Sequence, residues 1–245
     1  MFTFFKKKPT ESIFKKIKVD IHSHLLPGID DGSPSLSTSF ELIKGLQELG
    51  FDKLITTPHI FLDYYPNTSL IIQSGMKSLK KALREEKITI NIEAAAEYYT
   101  DKHFDDLLHK NDLLCFSPNK YVLIEMSFIS ATPNIEAIIF NLITKGYQPI
   151  LAHPERYPYW HHNPKVYDHL KTLGCLTQLN ILSLMGYYGS SVEKQALSMV
   201  KAHQIDFIGT DLHHHDHLDA LKSIQFNKSL SLLFEKYTFK NINLL

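Results

Sequence analysis

Five short segments of this 245-residue chain carry side chains suited to holding divalent cations: Asp20-Ile-His22-Ser-His24, Thr57-Pro-His59, Ala96-Glu97-Tyr98-Tyr99, His153-Pro-Glu-Arg156 and Thr210-Asp211-Leu-His213. Imidazoles and carboxylates bind hard or borderline divalent metals without help from thiolates. One such segment would mean little in a chain with 14 histidines. Five, each closing a short apolar run, point to a hydrolase built around several metal ions. Alternate residues of a strand share a face, so His22 and His24 read as a two-toothed clamp. His153-Pro154-Glu155-Arg156 packs a candidate ligand, a rigid turn and a cation into four residues.

Arg156 is one of only two arginines in the chain, the other being Arg84. Its planar donor fork can engage two phosphate oxygens at once, which a lysine cannot do. Arg84, inside a charged helical run, reads as a solvated face residue. Asp30 and Asp31 lie in the turn-like Pro27-Gly-Ile-Asp-Asp-Gly32 and are candidate proton donors. Tyr98, next to the candidate ligand Glu97, could flank an aromatic substrate ring.

These residues need elements to position them. Ile17–Leu25, Lys53–His59, Ile88–Tyr98, Tyr121–Phe128, Gln148–His153, Leu176–Leu182 and Ile205–Leu212 are short, apolar and rich in β-branched residues, as buried strands are. Helical periodicity fills the gaps. Leu36, Phe40, Ile43, Leu46 and Gln47 follow a stripe that starts after Ser33-Pro34 and stops at Gly50. Asn134 to Lys145 behaves alike, with Gly146 as its stop; 68–87, 101–114 and 190–204 are further helical candidates. About seven βα units in a row predict a single α/β domain, a parallel βα barrel over residues 17–245, preceded by an N-terminal arm at 1–16. In such a barrel His22, His24, His59, Glu97, Glu125, His153, Asp211 and His213 all fall at strand ends, hence at one mouth.

Composition narrows the classes of partner. With 44% hydrophobic residues and a formal net charge of zero, the chain can bury a large core and shows no electrostatic footprint for nucleic acid. Cys115 and Cys175 form no CxxC pair and read as reduced thiols, in keeping with a cytoplasmic location. The N-terminus has no signal-peptide core, and no run approaches the roughly 20 apolar residues of a transmembrane helix.

The order of motifs, from Asp20-Ile-His-Ser-His24-Leu-Leu-Pro-Gly-Ile-Asp-Asp-Gly32 through His153-Pro-Glu-Arg-Tyr157 to Asp211-Leu-His213, resembles the polymerase-and-histidinol-phosphatase (PHP) superfamily. Within it the chain is most similar to the bacterial capsule-type protein-tyrosine phosphatases. That resemblance implies a distorted βα barrel and a cluster of two or three divalent ions. Manganese is the expected ion; iron, zinc, cobalt and magnesium are compatible with the same donors. It also implies hydrolysis of phosphotyrosine without a cysteine nucleophile, on a protein such as the tail of a tyrosine kinase that controls capsule or exopolysaccharide synthesis. Position by position, it makes His22, His24, His59, Glu97, Glu125, His153, Asp211 and His213 the metal ligands. Glu93, four residues before Glu97, is the weaker alternative because the two tyrosines do not follow it. The capsule-type enzymes carry a second arginine shortly after the final Asp-x-His. Here the sequence reads His213-His-His-Asp-His217, so His215 or His217 is the candidate substitute for binding phosphate. A small-molecule phosphatase acting on a substrate such as histidinol phosphate is the alternative, and a non-enzymatic barrel a third reading.

Overall fold

The computed structural model describes residues 11–245. Among these residues nine parallel strands and eight α-helices follow in the order β1 (Val19–Asp20), α1 (Leu36–Leu49), β2 (Lys53–Thr56), β3 (His59–Ile60), α2 (Ser69–Glu85), β4 (Asn91–Ala94), β5 (Glu97–Tyr99), α3 (Lys102–Lys110), β6 (Tyr121–Glu125), α4 (Ile135–Thr144), β7 (Gln148–Ala152), α5 (Pro164–Thr172), β8 (Leu176–Asn180), α6 (Ser190–Lys201), β9 (Phe207–Gly209), α7 (His215–Ile224) and α8 (Lys228–Lys236). They form two ladders, β1-β2-β4 and β3-β5-β6-β7-β8-β9.

The nine strands are seven staves. Pro58 has no N–H to donate, so the second stave breaks into β2 and β3, and the third breaks opposite it into β4 and β5. Register survives the break: Thr56 pairs with Ala94 below it and His59 with Glu97 above it, at the same offset. Ala95 N–H bonds Thr56 O at 2.9 Å and Glu97 N–H bonds Pro58 O at 3.1 Å across the gap. The ring closes where Ser23 bridges Leu212 in parallel, with Asp211 N–H on His22 O at 2.7 Å and His24 N–H on Leu212 O at 2.9 Å. A closed parallel βα barrel is thus the fold, as the periodicity predicts, and it is distorted as the family resemblance implies.

Two cores hold it. Val19, Ile21, Ile55, Ala95, Leu123, Ile150, Ala152 and Phe207 pack together inside the barrel, while a larger cluster joins the outer strand faces to the helices. Alternation along β6 shows the logic: Leu123 enters the inner core, Val122 and Ile124 join the outer one, and Glu125, in phase with Leu123, ends at the mouth.

Helix α1 begins at the Ser35 cap, whose hydroxyl accepts from Thr38 N–H, and ends at Gly50 with φ 112°. Its buried face runs through Leu42, Ile43, Gly45, Leu46 and Leu49, so the expected stripe was rotated: Leu36 is exposed. The physical reason is Gly45, where an added Cβ would lie 2.4 Å from Leu218 of α7, so the close helix contact is on that side. Of the expected arm, residues 1–10 lie outside the described residues. Ile13 and Phe14 are fully buried in the outer core, so the packed unit starts before residue 17.

Candidate metal centre

Glu97 sits at the centre of the barrel mouth with 1% exposure, in reach of four imidazoles. Its Oε2 lies 3.0 Å from Nε2 of His22, 3.4 Å from Nε2 of His24 and 3.3 Å from Nδ1 of His59, and its Oε1 lies 3.1 Å from Nε2 of His153. Asp211 Oδ1 faces the same histidines, 3.3 Å from His22 and 3.5 Å from His24. Glu125 approaches His153 at 3.5 Å and His59 at 3.8 Å. His213 lies over His24, ring centroids 3.9 Å apart. All eight residues singled out in the sequence therefore converge. Glu93 does not: it pairs with Lys53 on the inner face of the ladder, in phase with Ala95 and Ile55 of the inner core and below the mouth.

Donor atoms fall into three groups, each within 4.8 Å: His22, His24, Glu97 and Asp211; His24, Asp31, His59 and His213; and His59, Glu97 and Glu125. Each could hold one cation. Nε2 of His24 is buried without a hydrogen-bond partner, between Glu97 and Asp211. An orphaned imidazole nitrogen facing two carboxylates is the donor set a divalent cation satisfies, so the residues fit a metal. Two of the candidates sit at positive φ, His153 at 32° and Asp211 at 51°. Such backbone costs about 1–3 kcal/mol per residue and persists where the surroundings impose it, commonly at functional sites.

Electrostatics mark the same cluster. Burial would raise the Glu97 pKa, but His22 and His59 hold it well below the usual carboxylate range. Burial, with Glu97 and Asp211 beside it, pushes Glu125 well up. Burial opposes protonation of His22 and His24, yet Glu97 and Asp211 raise the first and Asp30 and Asp211 the second. His59 is pushed down to about 4 by burial. Carboxylates and imidazoles here compensate one another, the balance that bound cations would otherwise supply.

Several expected roles need correction. Asp30 is engaged as an acceptor, contrary to the donor role expected of it: its Oδ2 accepts from His24 Nδ1 at 2.8 Å and from His59 N–H at 3.1 Å. Against burial, His24 keeps its pKa low, so it is ionised and has no proton to give. Asp31 is likewise held ionised, against burial, by His213 and His59, and lies instead in a group of donors that could hold a metal ion. Tyr98 is fully buried against Phe104, with its hydroxyl accepting from Leu114 N–H at 2.6 Å. On a strand where Glu97 points in, Tyr98 must point out, into the helical layer. His215 is exposed at the start of α7 and bonds Glu41 at 2.7 Å, away from the cleft. His217 does line the cleft, beside His213 and His214.

The cleft at the mouth holds about 260 Å³ and is walled by Arg156, Phe128 and Tyr188 next to the candidate ligands. Arg156 Nη1 donates to Asp211 Oδ2 at 2.8 Å, and its guanidinium lies between the rings of Phe128 and Tyr188, 4.8 and 4.3 Å from their centroids. Asn180 donates to both Asp211 Oδ2 and the Tyr188 hydroxyl. Phe128, Asn180, Tyr188 and Gln178 were missed by motif reading. The signal for two of them was two polar residues in phase, Gln178 and Asn180, on a strand otherwise reading as buried. A larger groove, about 1000 Å³, lies elsewhere, lined by Lys15, Lys80, Arg84 and Ile92 among others; among the described residues it contains no convergent donor group.

Fold and site together define a βα-barrel protein with a cluster of histidines and carboxylates at the barrel mouth that could hold metal ions. The chain belongs to the family described as capsular polysaccharide synthesis, CpsB/CapC, which matches residues 18–238. It is 32% identical over 195 residues to the tyrosine-protein phosphatase YwqE of Bacillus subtilis (strain 168), covering 80% of this chain and 77% of that one. With the tyrosine-protein phosphatase CpsB of Streptococcus pneumoniae it shares 25% identity over 203 residues, covering 81% of this chain and 84% of that one. Among solved structures, it superposes with a TM-score of 0.79 and 29% identity on one from the work on YwqE from Bacillus subtilis and CpsB from Streptococcus pneumoniae, described as metal-dependent tyrosine phosphatases, covering 93% of this chain and 94% of that one. An amidohydrolase from Mycoplasma synoviae, at 11% identity and a TM-score of 0.55, shares the fold alone, over 97% of this chain and 89% of that one.

Proposed function

We propose that this chain is a metal-dependent protein-tyrosine phosphatase. Its substrate is phosphotyrosine on a protein controlling capsular or exopolysaccharide synthesis, such as the cytoplasmic tail of a tyrosine kinase. The observation that carries this reading is the convergence of eight histidines and carboxylates at the barrel mouth, Glu97 at their centre, with one guanidinium at the edge of the cleft. The names of the related proteins support it. Among the described residues no helix is long and apolar enough to cross a membrane.

In this reading His22, His24, His59, Glu97, Glu125, His153, Asp211 and His213 hold two or three divalent ions, with Asp31 a ninth donor. Manganese is the preferred ion, and iron, zinc, cobalt or magnesium suit the same donors. When bound, such ions polarise phosphoryl oxygens and acidify water. Arg156, fixed between Phe128 and Tyr188, turns its free donors toward the cleft to orient the phosphoryl group. His217 lines the same cleft beside Tyr188; burial pushes its pKa down to about 4, so it offers a neutral hydrogen bond and not a second charge. A phenol of pKa about 10 departs as phenolate more readily than an alkoxide, so the ionised Asp30 and Asp31 are no obstacle.

Initial rates on phosphotyrosine peptides, phosphoserine peptides and histidinol phosphate, each with Mn²⁺ and with chelator, test the proposal. Chelator-sensitive turnover confined to phosphotyrosine is the expected outcome. Faster turnover of histidinol phosphate would favour the small-molecule reading instead.

A further inference from the structure

A metal-binding histidine works only if the nitrogen facing the ion carries a lone pair, and something must hold the proton on the other nitrogen. For His24 that group is Asp30, whose Oδ2 is 2.8 Å from Nδ1. For His22 it is an uncharged residue: Oε1 of Gln178 lies 2.8 Å from Nδ1, while Nε2 faces Glu97 and Asp211.

Gln178 is fully buried on β8, pointing into the barrel in phase with Asn180. Its Nε2 has no hydrogen-bond partner, so the carboxamide is committed to His22 through its oxygen alone. A glycine makes the contact possible. A Cβ added to Gly209 of β9 would lie 2.5 Å from Nε2 of Gln178 and 2.8 Å from Cβ of His22, closer than side-chain atoms pack. The bare Cα of Gly209 thus leaves the room in which the amide reaches the imidazole.

We infer that Gln178 is a positioning residue for the metal centre: its carboxamide oxygen accepts the Nδ1 proton of His22 and so keeps the Nε2 lone pair aimed at the cation. This inference rests on the metal-site reading above. Had Nδ1 lacked an acceptor, the proton could reside on Nε2 and the ligand would be lost. A neutral acceptor also adds no further negative charge beside Glu97, Glu125 and Asp211.

The test is Mn²⁺ binding by titration of chelator-stripped full-length protein, which needs no turnover. Gln178→Met keeps length and removes the acceptor; it should weaken binding about tenfold to hundredfold, the usual cost of losing such a partner. Gln178→Glu restores an acceptor oxygen and should recover most of that affinity. Thermal unfolding of each metal-free variant shows that it is folded, and Gln178→Leu replaces the Met variant if it is not. His22→Ala serves as the reference for losing the ligand itself. Unaltered Mn²⁺ affinity in folded Gln178→Met, beside a loss in His22→Ala, overturns the role of Gln178 and leaves the metal-site reading standing. Absence of Mn²⁺ binding by the wild type overturns the metal-site reading and the inference with it.

Discussion

Arg156 and Asp211 are joined by a 2.8 Å hydrogen bond that ties the phosphate-binding candidate to the metal-binding one. The other oxygen of Asp211 faces His22 and His24, so one carboxylate spans both functions. Lysine at 156 would keep the charge and lose the fork. Arg156→Lys should therefore cost about 1.5–3 kcal/mol of transition-state stabilisation, roughly a tenfold to hundredfold fall in kcat/KM on phosphotyrosine peptides. Full kcat/KM in both Arg156→Lys and Arg156→Ala would make Arg156 a structural partner of Asp211 only.

Neither thiol belongs to the cleft. Cys175 is fully buried, and burial pushes its pKa up to about 12; burial also raises that of Cys115. A Cys115→Ser, Cys175→Ser double variant should retain its phosphatase rate and its sensitivity to chelator. Loss of rate in a variant that melts like the wild type would contradict a thiol-independent mechanism.

Tyr98→Phe separates core from cleft. It deletes the hydroxyl that accepts from Leu114 N–H and should lower stability by about 1 kcal/mol, measured by denaturant unfolding. Its kcat/KM should match wild type; a substantial rise in KM would return Tyr98 to the substrate site.

Glu155, fully buried beneath the cleft, accepts from Ser183 and from Asn180 N–H, and burial raises its pKa from about 4.5 to about 7. The folded chain thus binds this proton more tightly than the unfolded one. Its contribution to stability is complete below about pH 4.5 and is lost as pH rises through about 7, a change of about 3 kcal/mol at 1.36 kcal/mol per unit. In metal-free protein, Glu155→Gln should gain on wild type by up to that amount across this window. Parallel unfolding profiles would show that Glu155 titrates normally.

The sequence exposed the ligand candidates because each closes an apolar run, and a barrel brings strand ends together whatever lies between. Period-two alternation was enough to exclude Tyr98 once Glu97 was placed inside, as it was for Leu123 and Glu125. Other features had no local signature. The rotation of α1 depends on Gly45 meeting Leu218, far away in the chain, and the reassignment of Asp30 depends on the His24 ring and the His59 backbone N–H both reaching it. Gln178, Asn180 and Tyr188 lack motif chemistry and gain their roles only from the groups they touch.

Glu97 is where the account is most exposed, since four imidazoles face its two oxygens. Glu97→Gln keeps shape and hydrogen bonding while removing the charge. Metal content by elemental analysis and turnover of a phosphotyrosine peptide should be measured on the same preparation. The account predicts at least one ion lost per chain and a rate lower by about a hundredfold or more, beyond what loss of a merely supporting residue costs. A Glu97→Gln variant with the wild-type metal content and the wild-type rate would contradict it.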